Sequence, residues 1–178
     1  MAHKVFVSYH HAGDQYYRNE FETMFSSNYG VFISKSVQIG DISGTASTDY
    51  VRQKVRDEYL RDSTVTVVLI GSHTWQRKHV DWEISSSVRS TLLSSRSGLM
   101  GVLLPTHPSF YTATYDEGIT PPRLVRNQEC GYAQIYKWST DPYMVAPQIE
   151  KAFNDRNVLQ PDNSYPHFKN NKFGNRWM

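Results

Sequence analysis

The residues best able to do chemistry fall in one stretch, residues 64–87, which carries Ser72, His73, Trp75, Trp82 and Glu83. A carboxylate beside an indole at the start of a helix can hold hydroxyl groups and stabilise developing positive charge. Ser72 next to His73 invites a nucleophile reading, but no G-x-S-x-G elbow surrounds it, which argues against acyl transfer. His10-His11 with His73 or His79 invites a metal reading. Adjacent histidines on a strand point apart and no third ligand type is suitably spaced, so no metal is expected. Gly40 to Gly44 is not a phosphate-binding Walker loop, because no Gly-Lys-Ser/Thr follows. Each candidate also has a plainer role. Glu83 at a helix start favours the helix dipole, the tryptophans can serve packing alone, and Ser8 and Ser72 can cap or turn the chain.

Something must position these groups. Val65-Thr66-Val67-Val68-Leu69-Ile70 is a nearly unbroken β-branched and apolar run. A strand with one wet face alternates, whereas one covered on both faces reads like this, as inner strands of parallel sheets do. Gly71-Ser72 ends it, and Val80, Ile84 and Val88 then recur every four residues, predicting a helix to about Ser95. A strand, a loop and a helix start bring Ser72, His73, Trp75 and Glu83 to the carboxyl edge of the sheet, where open α/β sheets hold ligands.

The rest of the chain supplies that sheet. Lys4-Val5-Phe6-Val7-Ser8-Tyr9 reads as a first strand, followed by a helix with Asp14 at its N-cap and Tyr17, Phe21, Met24 and Phe25 on one stripe. Val31-Phe32-Ile33 is a short second strand. A mobile loop holding Gly40, Asp41, Ser43 and Gly44 leads to a helix capped by Thr48, with Val51, Val55 and Tyr59 at a spacing of four. Residues 98–104 form another buried-type strand stopped by Pro105. From Pro105 to Gly131 four prolines argue against long regular elements, as a functional or partly disordered insertion would show. Residues 132–136 read as a last strand, and a final helix runs from about Pro142 to Asn154. Alternating strands and helices imply right-handed βαβ units and a flavodoxin-like three-layer α/β/α fold. Its central, mostly parallel sheet has five strands in the order 2-1-3-4-5. The switch point then lies between Ser8-Tyr9-His10 and Gly71-Ser72-His73, and a crevice is expected there.

The totals set bounds. A chain of 178 residues suits one domain, here residues 1–155, with an aromatic-bearing extension at 156–178 expected to pack onto it. At 39% apolar and 13% aromatic the composition is that of a globular protein. A net charge of +2 implies neither nucleic acid nor an anionic membrane. Lys169, Lys172 and Arg176 read as a solvated face of a packing segment. The single Cys130 excludes an internal disulfide and, with no signal-type start, points to the cytoplasm.

Val5-Phe6-Val7-Ser8-Tyr9 followed by Asp14 resembles the opening of a TIR domain, and Gly71-Ser72, Trp75 and Trp82-Glu83-Ile84 resemble the stretch that holds its catalytic glutamate. The Gly40–Gly44 loop sits where that fold carries its flexible loop. The apolar strand ending in Gly-Ser, the basic pair Arg77-Lys78 and the aromatic-Glu-Ile run are closer still to the TIR-like proteins of the bacterial Thoeris antiphage system. The resemblance covers roughly residues 3 to 153. It implies cleavage of NAD between nicotinamide and ribose, and an ADP-ribose-derived, often cyclic, signal that activates a separate effector. It makes Glu83 the catalytic carboxylate and puts Phe6, Ser8, Tyr9 and His10 on one side of the pocket, with Ser72, Trp75 and Trp82 on the other. NAD is then substrate, with no separate cofactor, and a homo-oligomer fits the family.

The residues suit that chemistry. Ordinary sugar hydrolysis generally needs two carboxyl groups, one to protonate the leaving alkoxide. Nicotinamide leaves as a neutral molecule from a cationic bond, so one carboxylate suffices to hold ribose and stabilise the oxocarbenium-like charge. Phe6 or Trp75 can stack on a flat ring, and Arg77 or Lys78 with helix-start N–H groups can receive a pyrophosphate. Holding acceptor hydroxyls near the anomeric carbon while excluding water lets cyclisation compete with hydrolysis. The alternatives are a TIR-like scaffold that binds partners without chemistry, and a flavodoxin-like nucleotide or phospho-acceptor domain. The latter is disfavoured because Asp14 is the only carboxylate close after the first strand.

Overall fold

The computed structural model describes residues 2–27, 29–33 and 47–178. Five strands, β1 (His3–Ser8), β2 (Val31–Ile33), β3 (Val65–Ile70), β4 (Gly98–Leu103) and β5 (Ala133–Lys137), form one sheet in the order β2-β1-β3-β4-β5. All four pairings are parallel, as the apolar runs require of strands linked by helices. Every residue of β3 and of β4 is buried, so both strands are covered on both faces.

Alternation along the strands sorts side chains between two helical layers. Val5, Val7, Tyr9, Val65, Val67 and Leu69 pack on one face with Phe21 of α1 (His11–Met24), with Phe25 just after it, and with Val145 and Ile149 of α5 (Pro142–Val158). On the other face Val68, Ile70, Leu99 and Ala133 meet Val80 and Ile84 of α3 (Lys78–Ser87) and Leu124 of α4 (Pro122–Glu129). Phe6 joins Val51, Val55, Leu60 and Trp82 beside that second cluster. Val51 belongs to α2 (Thr48–Lys54), which continues as a π-helical turn over Val55–Tyr59. Thr66 also faces this layer, and its buried hydroxyl is satisfied at 2.7 Å by Ser87.

Five helices differ from their sequence patterns. α1 starts at His11, so Asp14 is not its N-cap but an internal residue at φ −123°, ψ 16°. Ser47, not Thr48, caps α2 by accepting from Tyr50 N. α3 ends at Ser87, where Ser97 N returns to bond the Ser87 carbonyl at 2.8 Å and closes the helix off. The proline-rich stretch contains α4, the crossover between β4 and β5. Pro122 stands in its first turn, where the missing N–H costs nothing. α5 also runs further than its pattern, to Val158. The Gly40–Gly44 loop lies outside the described residues.

Packing between β4 and α5 is close enough to demand glycine. A Cβ on Gly98 would lie 2.0 Å from the backbone oxygen of Ala152, so α5 would have to move as a body. Gly98→Ala should cost on the order of 2 kcal/mol, lowering Tm by roughly 5 °C in thermal unfolding. An unchanged Tm would show that α5 yields freely.

Candidate active site

β1 and β3 lie side by side, and α3 returns from the end of β3 across the layer that Phe6 and Ser8 face. This places Glu83, five residues into the ten-residue α3, against Ser8 at the last position of β1. The Ser8 hydroxyl donates to Glu83 Oε2. Glu83 is 2% exposed and Ser8 is fully buried. Burial, partly offset by the bond from Ser8, raises the Glu83 carboxyl from its ordinary 4.5 to about 8. The turn that launches α3 is rigid. Thr74 Oγ1 accepts from Gly71 N at 2.8 Å and donates to the Leu69 carbonyl at 3.3 Å.

The other sequence candidates divide by where their side chains fall. Phe6 and Trp82 meet in one apolar cluster next to Glu83. Trp75 is buried in the single 3-10 turn Thr74–Gln76 that precedes α3. Ser72 is half-buried, with its hydroxyl 2.8 Å from His73 Nδ1. Tyr9, one residue beyond Ser8, faces the opposite layer, where its hydroxyl donates to Gln15 Oε1 at 2.6 Å. Alternation along a strand brings Ser8 to Glu83 and carries Tyr9 away from it.

His10 belongs to the cluster of histidines that the sequence also grouped. Its ring lies 6.2 Å from that of His73, and the rings of His11 and His79 are 5.0 Å apart. His79 Nε2 bonds the Tyr9 carbonyl at 3.0 Å, which ties the start of α3 to the end of β1. Burial first, then the charges of Arg77, His73, His79 and His11, lowers His10 to about 4. The imidazole at His10 is therefore neutral at pH 7 beside the Arg77 guanidinium. Arg77 Nε is buried with no hydrogen-bond partner among the described residues, while its Nη2 donates to Gln76 Oε1 at 3.1 Å. Lys78 points elsewhere, its ammonium 4.8 Å above the Trp82 ring. Among the described residues no group of three or more His, Cys, Asp or Glu could hold a metal ion.

Asp14 is the second buried carboxyl at this edge, and it sits directly over Gly71. A Cβ there would be 2.2 Å from its Oδ2. Thr106, just beyond β4, donates to its Oδ1 at 3.1 Å, so Asp14 links the ends of three strands. Two further residues were not singled out from sequence. Asp81 and Arg123 form a buried ion pair, Nε to Oδ1 at 2.9 Å. The Pro121-Pro122 pair disguised the helix that carries Arg123. At the expected crevice between the β1 and β3 ends, Glu83 is 2% exposed among the described residues. An open cavity of about 350 Å³ lies at the ends of β4 and β5, lined by Leu103, Tyr115, Ile135 and Lys137.

A parallel 2-1-3-4-5 sheet covered by helices on both faces is a flavodoxin-like α/β/α fold. The chain belongs to the family described as Thoeris protein ThsB, TIR-like domain, whose sequence model matches residues 6–109. Among solved structures, it is similar to the TIR domains in the activated Roq1 resistosome directly recognizing the pathogen effector XopQ. The TM-score is 0.37 at 13% identity, covering 94% of this chain and 93% of that one. No curated protein matches the chain.

The burial of Glu83 has a measurable cost. Its folded-state value lies above its unfolded one, so its contribution to stability is intact below about pH 4.5 and is lost as pH rises through about 8. Glu83→Gln, neutral at every pH, should therefore be more stable than wild type at pH 8 by on the order of 3 kcal/mol. In denaturant unfolding across pH 4 to 8.5 the two curves should converge near pH 4.5. Parallel curves would mean that Glu83 is not buried in its charged form.

Proposed function

We propose that this protein cleaves NAD at the bond between nicotinamide and ribose, with Glu83 as the catalytic carboxylate. The observation that carries this is the dry carboxyl of Glu83, bonded by Ser8 at the end of β1, in a chain of the Thoeris TIR-like family. The C1′–N bond breaks and its electron pair goes to the pyridinium nitrogen, so nicotinamide leaves neutral without a proton donor. Ionised Glu83 stabilises the positive charge left on the ribose. A hydroxyl or ring nitrogen of the same molecule, or water, then bonds to C1′, and the carboxylate accepts the proton that this nucleophile gives up. Arg77 takes the pyrophosphate, while neutral, half-buried His10 offers a flat surface to a ring. A dry site favours capture within the substrate, and hence a cyclic ADP-ribose-type product. That product would act as a diffusible signal to a separate effector in antiphage defence. NAD is substrate here, and the reaction calls on no further cofactor.

Glu83 works only when ionised. In the free protein it is largely protonated at pH 7, and a bound pyridinium cation beside it would draw the proton off. The burial of Glu83, 2% exposed among the described residues, favours a second reading, a TIR-like scaffold that assembles with partners and does no chemistry.

Nicotinamide release followed by chromatography separates the two. Wild-type kcat/KM should rise about tenfold per pH unit below pH 7.5 and level off above about 8. Glu83→Gln should lower it at least about a thousand-fold while the circular dichroism spectrum is kept. A folded Glu83→Gln that turns over NAD would refute the assignment, and a silent wild type, with or without phage-infected lysate, would select the scaffold.

A further inference from the structure

Residues 159–178 contain no regular element, yet they are held along their length against the helix that carries Glu83. The anchorage begins at Arg123, fully buried on α4. Its guanidinium bonds both Asp81 oxygens and also donates to Asn163 Oδ1 at 2.8 Å and to the Tyr165 carbonyl at 2.8 Å. Asp81 in turn accepts from Phe168 N at 2.9 Å. One buried ion pair thus joins α3, α4 and the tail, with its donors and acceptors shared among all three.

The tail then runs along the outer side of α3. Trp82 Nε1 donates to the Phe168 carbonyl at 2.8 Å, and the His167 ring stacks on Trp82 at 5.3 Å and 2° between planes. Further on, Lys172 N bonds the Gln76 carbonyl at 2.8 Å and Gln76 Nε2 reaches the Gly174 carbonyl at 3.2 Å. The far end is pinned to the turn Glu117–Ile119. Arg176 bridges both Asp116 oxygens, and Trp177 Nε1 bonds the Glu117 carbonyl at 2.7 Å.

A helix start normally finds its cap in its own preceding residue. α3 does not. Arg77, at its N-cap position, makes no side-chain cap bond. The acceptor comes instead from the tail, where Asn171 Oδ1 takes Lys78 N at 2.9 Å, 93 residues away in sequence. We infer that the C-terminal tail is a clamp belonging to the active site: Asn171 supplies the missing cap of α3, and the His167–Phe168 pair fixes Trp82, so the tail sets the position of Glu83. Asn171, His167 and Phe168 are positioning residues that act through α3. The clamp rests on the proposed role of Glu83 for its catalytic consequence but not for its structural one. It lies wholly outside residues 6–109, so the family-matched core takes its helix cap from a part of the chain beyond the match.

The test uses the full chain with Asn171→Ala and Asn171→Asp, two exposed substitutions that leave the core untouched. Hydrogen exchange by mass spectrometry reads α3 directly. In Asn171→Ala the first-turn amides of α3 should exchange about fivefold faster, with circular dichroism unchanged. Asn171→Asp keeps an acceptor at the cap and should restore protection. Nicotinamide release should follow the same order, and the pH at which kcat/KM levels off should fall in Asn171→Ala, as water reaching Glu83 relieves its burial. Exchange in α3 that is equal in wild type and Asn171→Ala would overturn the clamp, as would an Asp variant no better than Ala. If wild type released no nicotinamide, the exchange data would still decide the clamp, and only the enzymatic reading would fall.

Discussion

A carboxyl group taken out of water and held by one hydroxyl is the constraint around which this structure is arranged. Glu83 could not stay dry on an isolated helix. Its burial needs β1 to end in Ser8 just where α3 passes, and α3 to be fixed against a rigid turn. It also needs the apolar cluster of Phe6, Val55 and Trp82 beside it. The same arrangement that raises its proton affinity withholds stability near neutral pH.

Around this carboxyl the charges are ordered in layers. Neutral His10 and the Arg77 guanidinium sit at the sheet edge, and Asp14 is tucked over Gly71 with Thr106 as its donor. On the other side of α3, Asp81 and Arg123 are paired in full burial, and each remaining donor of that guanidinium meets a tail oxygen. A buried ion pair is a poor source of net stability, but removing either partner leaves an uncompensated charge. Its value here is positional. It admits one arrangement of α3, α4 and the tail, which is the arrangement that holds Glu83 against Ser8.

Much of this was legible in the sequence. The β-branched run at 65–70 read as an inner strand, and the spacing of Val80, Ile84 and Val88 gave α3 its buried face. Glu83, Ser8, Phe6 and Trp82 were singled out through the resemblance to TIR domains, and the fold brings these four together. Tyr9 sits at the last register position beyond Ser8, where alternation sends it to the other layer. α4 was hidden because proline suppresses helices everywhere except in the first turn, and spacing alone does not say which turn a proline occupies.

What the sequence determined by itself was local: which segments are strands and helices, the parallel order they must take, and which carboxylate stands at the carboxyl edge. Those follow from periodicity, chirality and turn chemistry acting over a few residues. The tertiary structure decided everything that depends on distant partners. Ser8 and Glu83 are 75 residues apart, and Trp82 and the Phe168 carbonyl 86. The dryness of Glu83, the neutrality of His10, the Asp81–Arg123 pair and the borrowed cap of α3 exist only once the sheet has closed and the tail has folded back across it. Burial and electrostatics are properties of surroundings, and a linear sequence does not contain its surroundings.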